Sequence, residues 1–271
     1  MILVGTKTPD KARTGRIWRG IGSEVFLLSG RVRERKALAR SCKIIGRSKM
    51  NHIYIPTSSA DDWRKFLAEP DKQWRSGYSA KELAECWEQA NGFPAELQSM
   101  FSKSGNHVFS ELELLIATPE HKVDLPDGKR PSQNDLFVLA RAKDGHLVSI
   151  MIEGKVLEPF GDTLEVWLKD SSEGKKNRLK MLCKILGLQN QPSLNIRYQL
   201  FHRTASAILE AKRFNAKYAM MIVHSFSPEH KWFSDYQDFL GLFGVASKIN
   251  ELVELPESEG KQIFTGWVVG K

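Results

Sequence analysis

Asp135, Glu153 and Lys155 are the residues whose types and spacing carry the most chemistry in this sequence. They lie in the stretch PSQNDLFVLARAKDGHLVSIMIEGK, Pro131 to Lys155. It reads as two strands: Asp135 opens Leu136 to Ala142, a Lys143-Asp144-Gly145 corner reverses the chain, and Leu147 to Leu157 returns. Side chains alternate across a strand, so Ser149, Met151, Glu153 and Lys155 share one face and Val148, Ile150, Ile152, Gly154 and Val156 the other. A strand apolar on one face and largely apolar on the other belongs inside a sheet. An acid and a lysine at its end each cost several kcal/mol, order of magnitude, unless partners offset them. Carboxylates so placed are hard oxygen ligands suited to Mg²⁺ or Mn²⁺. A structural salt bridge on a strand is the competing reading of the same residues.

The elements around the hairpin have to position this group. From Ser58 to Phe101 the pattern is helical. Ser59 reads as the cap of a helix to Leu67, and Ser79 with Glu82 forms a capping-box pattern ahead of Leu83, Ala84, Trp87 and Ala90. Trp63, Trp74 and Trp87 read as core more readily than as base-stacking platforms. A third helix is expected over about Pro94 to Phe101, and a fourth over Val108 to Ala117. The fourth would carry Glu111 and Glu113 on either side of its apolar stripe, with either acid able to reach a metal held by the hairpin. A strand, His121 to Leu125, and the turn Pro126-Asp127-Gly128 lead into the Asp135 strand. Behind the hairpin come helices over Lys175 to Leu186 and Arg197 to Phe214. The continuous apolar run YAMMIVH, Tyr218 to His224, reads as a buried strand beside the hairpin. A helix over Trp232 to Leu242 and a strand over Phe264 to Val269 close the chain.

Asp135 followed after a hairpin by Glu153-Gly154-Lys155 resembles the D…(D/E)xK signature of the PD-(D/E)XK, or restriction-endonuclease-like, nuclease superfamily. The blocks LELLIATPEHKV, PSQNDLFVLAR, IEGKVLEPFG and QLFHRTASAILEAKRF, with NGFP and SAKELAECWE, are similar to a bacterial family assigned to that fold, over residues 50 to 271. The resemblance implies an α/β fold with an αβββαβ core, a mixed central sheet flanked by helices and preceded by a helical extension. Residues 50–107 would form that extension and 108–271 the core. It implies a metal-dependent nuclease with Asp135, Glu153 and Lys155 catalytic. Asp135, Glu153 and Glu113 would hold Mg²⁺ or Mn²⁺, Glu113 being preferred to Glu111 as the helix acid. Lys155 would orient the attacking water or stabilise the transition state. Gln199, His202 and Arg203 lie within about one turn of the long helix and are expected phosphate contacts. Exonuclease-like members carry a tyrosine four residues after such a glutamine, where this chain has Arg203, so ordinary helix-surface roles remain open for all three. Asn134 stands at the variable position that gives the superfamily its proline. The implied partner is nucleic acid, DNA before RNA, with a homodimer as the form common among restriction-like enzymes. A catalytically silent binding or regulatory protein on the same fold is the alternative.

The chain has 271 residues and a net charge of +8, which invites a nucleic-acid reading. Residues 1–49 hold 13 Lys/Arg against Asp10, Glu24 and Glu34, a surplus of ten, which leaves the remainder at −2. Bulk charge therefore says nothing for nucleic-acid binding by the body. The 1–49 stretch is too poor in apolar residues to make a core, and it reads as a disordered leader or as sequence ahead of a start at Met50. From Met50 the chain runs into an apolar strand, Ile53-Tyr54-Ile55. Cys42, Cys86 and Cys183 are far apart in sequence, giving neither a disulfide framework nor a zinc motif, which fits a reducing cytoplasm. No apolar run is long enough to span a membrane. No GxGxxG, GxxxxGK, HExxH or nucleophile-elbow pattern is present, which argues against nucleotide-fuelled, zinc and serine-hydrolase chemistry.

Overall fold

The computed structural model describes residues 57, 59–126, 130–170 and 172–270. The 1–49 leader, the expected 53–55 strand and the Asp127-Gly128 turn lie outside the described residues. The described residues belong to one of the two compact units into which the chain divides, Lys49–Lys271. Its frame is a mixed six-stranded sheet: β1 (Glu113–Val123), β2 (Ser132–Arg141), β3 (Leu147–Lys155), β4 (Tyr218–Ser225), β5 (Glu251–Ser258) and β6 (Lys261–Val269), in the order β1-β2-β3-β4-β6-β5. β1, β2 and β3 form an antiparallel meander; β3, β4 and β6 run parallel, and β5 returns antiparallel along β6.

The expected hairpin is present, with Gly145 at φ 84 in its turn, a left-handed conformation that glycine adopts without strain. β3 is interior between β2 and β4, and every residue of β4 is buried, as its unbroken apolar run requires. Helices cover both faces. On one, α1 (Ser79–Ala90) and α2 (Ala95–Lys103) bring Leu83, Trp87, Leu97 and Phe101 against Leu136, Ile150 and Ile152. On the other, α3 (Glu173–Ile185), α4 (Tyr198–Arg213) and α5 (Phe233–Gly241) pack Leu182, Phe201, Ile208 and Phe239 against Phe137, Met151 and Val223. Trp63 and Trp87 are buried core residues, and Trp74 is half-buried with its indole N–H on Asp61.

Two expectations fail here, and one strand was not foreseen. The helix expected over Val108–Ala117 is a single 3₁₀ turn, His107–Phe109, followed by the first half of β1. Pairing along β2 decides this. A register shift between Leu114 and Ile116 breaks the alternation, so the strand's apolar residues fall close to a helical spacing. Pro119 is tolerated because β1 is an edge strand. β5, with Pro256 inside it, carried no strand pattern, yet its pairing with β6 makes the other edge. The Ser79 capping box does not form: Tyr78 is the cap residue, Glu82 Oε1 accepts instead from the Gly77 N–H at 2.9 Å, and the Ser79 N–H donates to Glu158 Oε1 at 3.1 Å.

Candidate functional site

β2 and β3 end together. Leu136 pairs with Ile152, so the next rung sets Asp135 beside Glu153, and the Gly154 N–H donates to Asp135 Oδ2 at 2.8 Å. Gly154 is needed for close approach. A Cβ there would come within 3.2 Å of Ser79 Cβ, where the start of α1 crosses the strand end. Glu153 and Lys155 are buried, 1% and 3% exposed, with Lys155 Nζ 2.5 Å from Glu153 Oε1 and 4.9 Å from the centre of the Phe160 ring. From α4, Arg203 donates through Nε to Glu153 Oε2 and places Nη2 3.6 Å from Asp135 Oδ1. Its guanidinium therefore spans the two acids.

A third acid joins them that the sequence pattern did not reveal. On β1, Glu120 lies between Pro119 and His121, whose partners Leu136 and Asn134 flank Asp135. Three neighbouring strands thus carry Glu120, Asp135 and Glu153 on one rung. Like charges facing each other across strands destabilise a sheet, so nothing in sheet packing favours this row. Glu120 also has φ 51, a left-handed backbone that costs of order 1 kcal/mol or more outside glycine. Gln133 Nε2 donates to its Oε2 at 2.6 Å. The available signal was the cross-strand offset from Asp135, which becomes readable only once β1 is known to be a strand.

These acids surround a cavity of about 410 Å³ together with Lys155, Arg203, Gln199 and Glu158. Gln199 Oε1 is buried and has no hydrogen-bond partner. Burial and the neighbouring Glu153 charge push the Asp135 carboxyl up to about 7. Burial and Asp135 push Glu120 up to about 8. Burial works against Glu153 too, but Arg203 and Lys155 outweigh it and hold its carboxyl below the ordinary value. Arg203 and Lys155 thus keep Glu153 ionised, while Asp135 and Glu120 are shifted toward the protonated form.

The other expected residues sit elsewhere. Glu113 and Glu111 are exposed at the far end of the meander, Glu113 with Arg141 at 3.4 Å and Glu111 with Lys143 at 2.5 Å. The structure does not bring either to the cavity. The helix that was to carry Glu113 is a strand, and the strand's opposite end supplies the acid. Gln199 and Arg203 line the cavity; His202 does not, its Nδ1 lying 2.8 Å from Ser132 Oγ. Burial holds the His202 ring well below its usual range, so it is neutral and offers no charge to a phosphate.

Hard oxygen donors in charge surplus, with an unpartnered amide oxygen among them, fit a Mg²⁺- or Mn²⁺-sized dication in donor chemistry. In spacing they are looser. Among the described residues, the trio of ligand atoms all within 4.8 Å of one another is Cys86, Glu96 and His224, on the opposite face of the sheet. That trio is closed to a metal. The Trp87 indole N–H points at His224 Nδ1 at 3.3 Å, so Nε2 carries the ring proton and donates it to Glu96 Oε1 at 3.0 Å. No lone pair is left on the ring, and burial pushes the Cys86 thiol up to about 12. A larger cavity, about 960 Å³, runs between α3 and residues 187–192; it is lined by Leu179, Leu188 and three lysines with no carboxylate. Its ionisable lining is those lysines and Cys183, whose thiol burial pushes up, so it offers no oxygen ligand set for a hard dication.

Over residues 56–271 the chain matches the family described as "Domain of unknown function (DUF6946)", and it belongs to that family. No curated protein and no solved structure matches the chain.

Proposed function

We propose that the protein is a metal-dependent hydrolase of nucleic-acid phosphodiesters, built on a restriction-endonuclease-like core. The observation that carries the reading is the convergence of Asp135, Glu153, Lys155 and the unforeseen Glu120 on one cavity. The order helix, three antiparallel strands, the helices α3 and α4, and a strand parallel to the third supports the αβββαβ core that the motif implies, with α4 in the place of its second helix. Asp135, Glu153 and Glu120 would hold Mg²⁺ or Mn²⁺, which when bound acidifies a coordinated water and offsets charge growing on the phosphate.

The chain's own groups do the rest. Lys155 is fixed by Glu153 and by the face of Phe160, so its ammonium meets an incoming water or phosphate oxygen in a preset position. Arg203 offers its remaining N–H groups to a phosphate without leaving Glu153. Gln199 can orient its amide toward the same ligand. Ser79 and Ala80, at the start of α1, line the same cavity.

The test is incubation of the full chain with single- and double-stranded DNA and RNA in Mg²⁺, Mn²⁺ or EDTA. Cleavage is expected with metal and none with EDTA, and Lys155→Ala should abolish it without changing the circular dichroism spectrum. Undiminished cleavage by that variant overturns the mechanism. One observation favours a second reading, a silent nuclease-fold binding protein: the Arg203 guanidinium already bridges Asp135 and Glu153, where a dication would act. Nucleic-acid binding by the wild type, with no cleavage in any metal, would select it.

A further inference from the structure

The reactive groups lie deep. Glu153 is 1%, Lys155 3% and Arg203 6% exposed, at the bottom of a cavity of small-molecule size. A recess of this size admits the backbone of one flexible strand more readily than that of a stiff duplex, whose second strand and stacked bases hold the phosphate at the surface. The chain beside it supplies something for a nucleotide of such a strand to rest on. Among the described residues four large apolar side chains are exposed, and two of them, Tyr78 (43%) and Leu157 (56%), are chain neighbours of residues that line this cavity, Ser79 and Glu158. Tyr78 immediately precedes Ser79 of the cavity wall, and Leu157 follows Lys155 by two residues.

Their placement is built. The two oxygens of the Glu158 carboxylate accept from the Ser79 N–H at 3.1 Å and the Leu157 N–H at 3.0 Å, tying the start of α1 to the end of β3. The Trp232 indole N–H holds the Leu157 carbonyl at 2.9 Å, while Arg197 lies over the Trp232 ring at 5.3 Å. The backbone of the lip is therefore fixed, and its apolar side chains are left in water. The Tyr78 ring stacks on no other ring among the described residues. Exposed apolar surface at the edge of a polar cavity is the arrangement that receives a base while its phosphate goes to the charged groups.

We propose that Tyr78 and Leu157 form a stacking lip that makes single-stranded or unpaired nucleic acid the substrate, with the base beside the scissile phosphate lying against the Tyr78 ring. This rests on the phosphodiesterase reading above. Base stacking on an aromatic side chain corresponds to about a 5- to 150-fold effect per base. The experiment compares labelled single-strand, blunt-duplex and bubble-containing duplex oligonucleotides, by Mn²⁺-dependent cleavage and by fluorescence anisotropy in EDTA. Wild type, Tyr78→Ala, Tyr78→Trp and Leu157→Ser are used.

The wild type should cut the single strand and the bubble in preference to the duplex. Tyr78→Ala should lose at least about 5-fold in kcat/KM, with Tyr78→Trp restoring it and thermal melting unchanged. Equal cutting of duplex and single strand, with Tyr78→Ala unaffected, overturns the lip while leaving the hydrolase intact. Tyr78-dependent single-strand binding without cleavage by the wild type supports the lip and overturns the hydrolase. Absence of both binding and cleavage overturns both.

Discussion

Two clusters of buried ionisable groups stand back to back on β3 and β4. Gly154 pairs with His224, so His224 faces one side of the sheet while Glu153 and Lys155, one residue to either side of Gly154, face the other. On the His224 side every group is answered. Glu96 accepts from the His224 ring and the Cys86 thiol, and Trp87 answers the other ring nitrogen. Burial works against the Glu96 charge, yet its carboxyl stays below the ordinary value because His224 donates to it. On the Glu153 side three acids crowd two cations, two of the acids are raised, and an amide oxygen has no partner. One place therefore holds a closed hydrogen-bond network, and the other, more deeply buried, holds acids that keep their charge only where a cation meets them. Demand for positive charge of that kind is what marks a site for a ligand.

The largest effect expected of this contrast is at Arg203. Arg203→Ala strips Glu153 and Asp135 of a buried counter-charge, and breaking a buried pair in this way costs about 3–5 kcal/mol. Glu96→Gln, in the closed cluster, exchanges one acceptor for another and should cost about 1–3 kcal/mol. Urea unfolding of both variants measures the difference. If Arg203→Ala costs no more than Glu96→Gln, the two clusters are alike and the cavity is not short of positive charge.

A dication should separate them next. At a Mn²⁺ concentration a hundred times Kd, binding to the folded state adds about 2.7 kcal/mol of stability, read as a rise in Tm. Asp135→Asn should remove that rise and Cys86→Ser should leave it whole. A rise that survives Asp135→Asn but not Cys86→Ser would move the metal to the opposite face of the sheet.

The sequence showed one half of this comparison. Alternation along β3 located Glu153 and Lys155, and the unbroken apolar run of β4 put that strand beside them, because both signals are local. Glu120 escaped for a nonlocal reason. It is a site residue only through its position opposite Asp135, and the shift between Leu114 and Ile116 disguised β1 as a helix, sending attention to Glu113 at the wrong end of the strand. The His224 cluster was equally hidden, since its members are 128 or more residues from their partner on β4 and no spacing rule joins them. Arg203 was visible as a helix neighbour of Gln199. Its span of two carboxylates was not, because the reach of a long side chain depends on how α4 packs against β3.

Glu120 supplies the smallest test and the one most specific to charge surplus. A carboxyl raised in the folded state holds a proton that the unfolded chain has already released. Folding then binds protons, so stability falls as pH rises. For Glu120, raised from 4.5 to about 8, and Asp135, raised from 3.8 to about 7, the loss begins near pH 4 and is complete near pH 8. Glu120→Gln removes one of these groups and relieves the repulsion on the other. The variant should match the wild type at pH 4 and exceed it at pH 8 by on the order of 1.4 kcal/mol, one pKa unit, the proton being shared within a coupled pair. Saturating Mn²⁺ should flatten the wild-type profile in the same direction, because a dication replaces the stored protons. In the closed cluster Glu96 is shifted the opposite way, so Glu96→Gln should lose stability at neutral pH and approach the wild type as the pH falls through the Glu96 titration. Parallel profiles for Glu120→Gln and the wild type from pH 4 to 8 would mean that the three acids on one rung do not sense one another, and the row would lose its standing as a site.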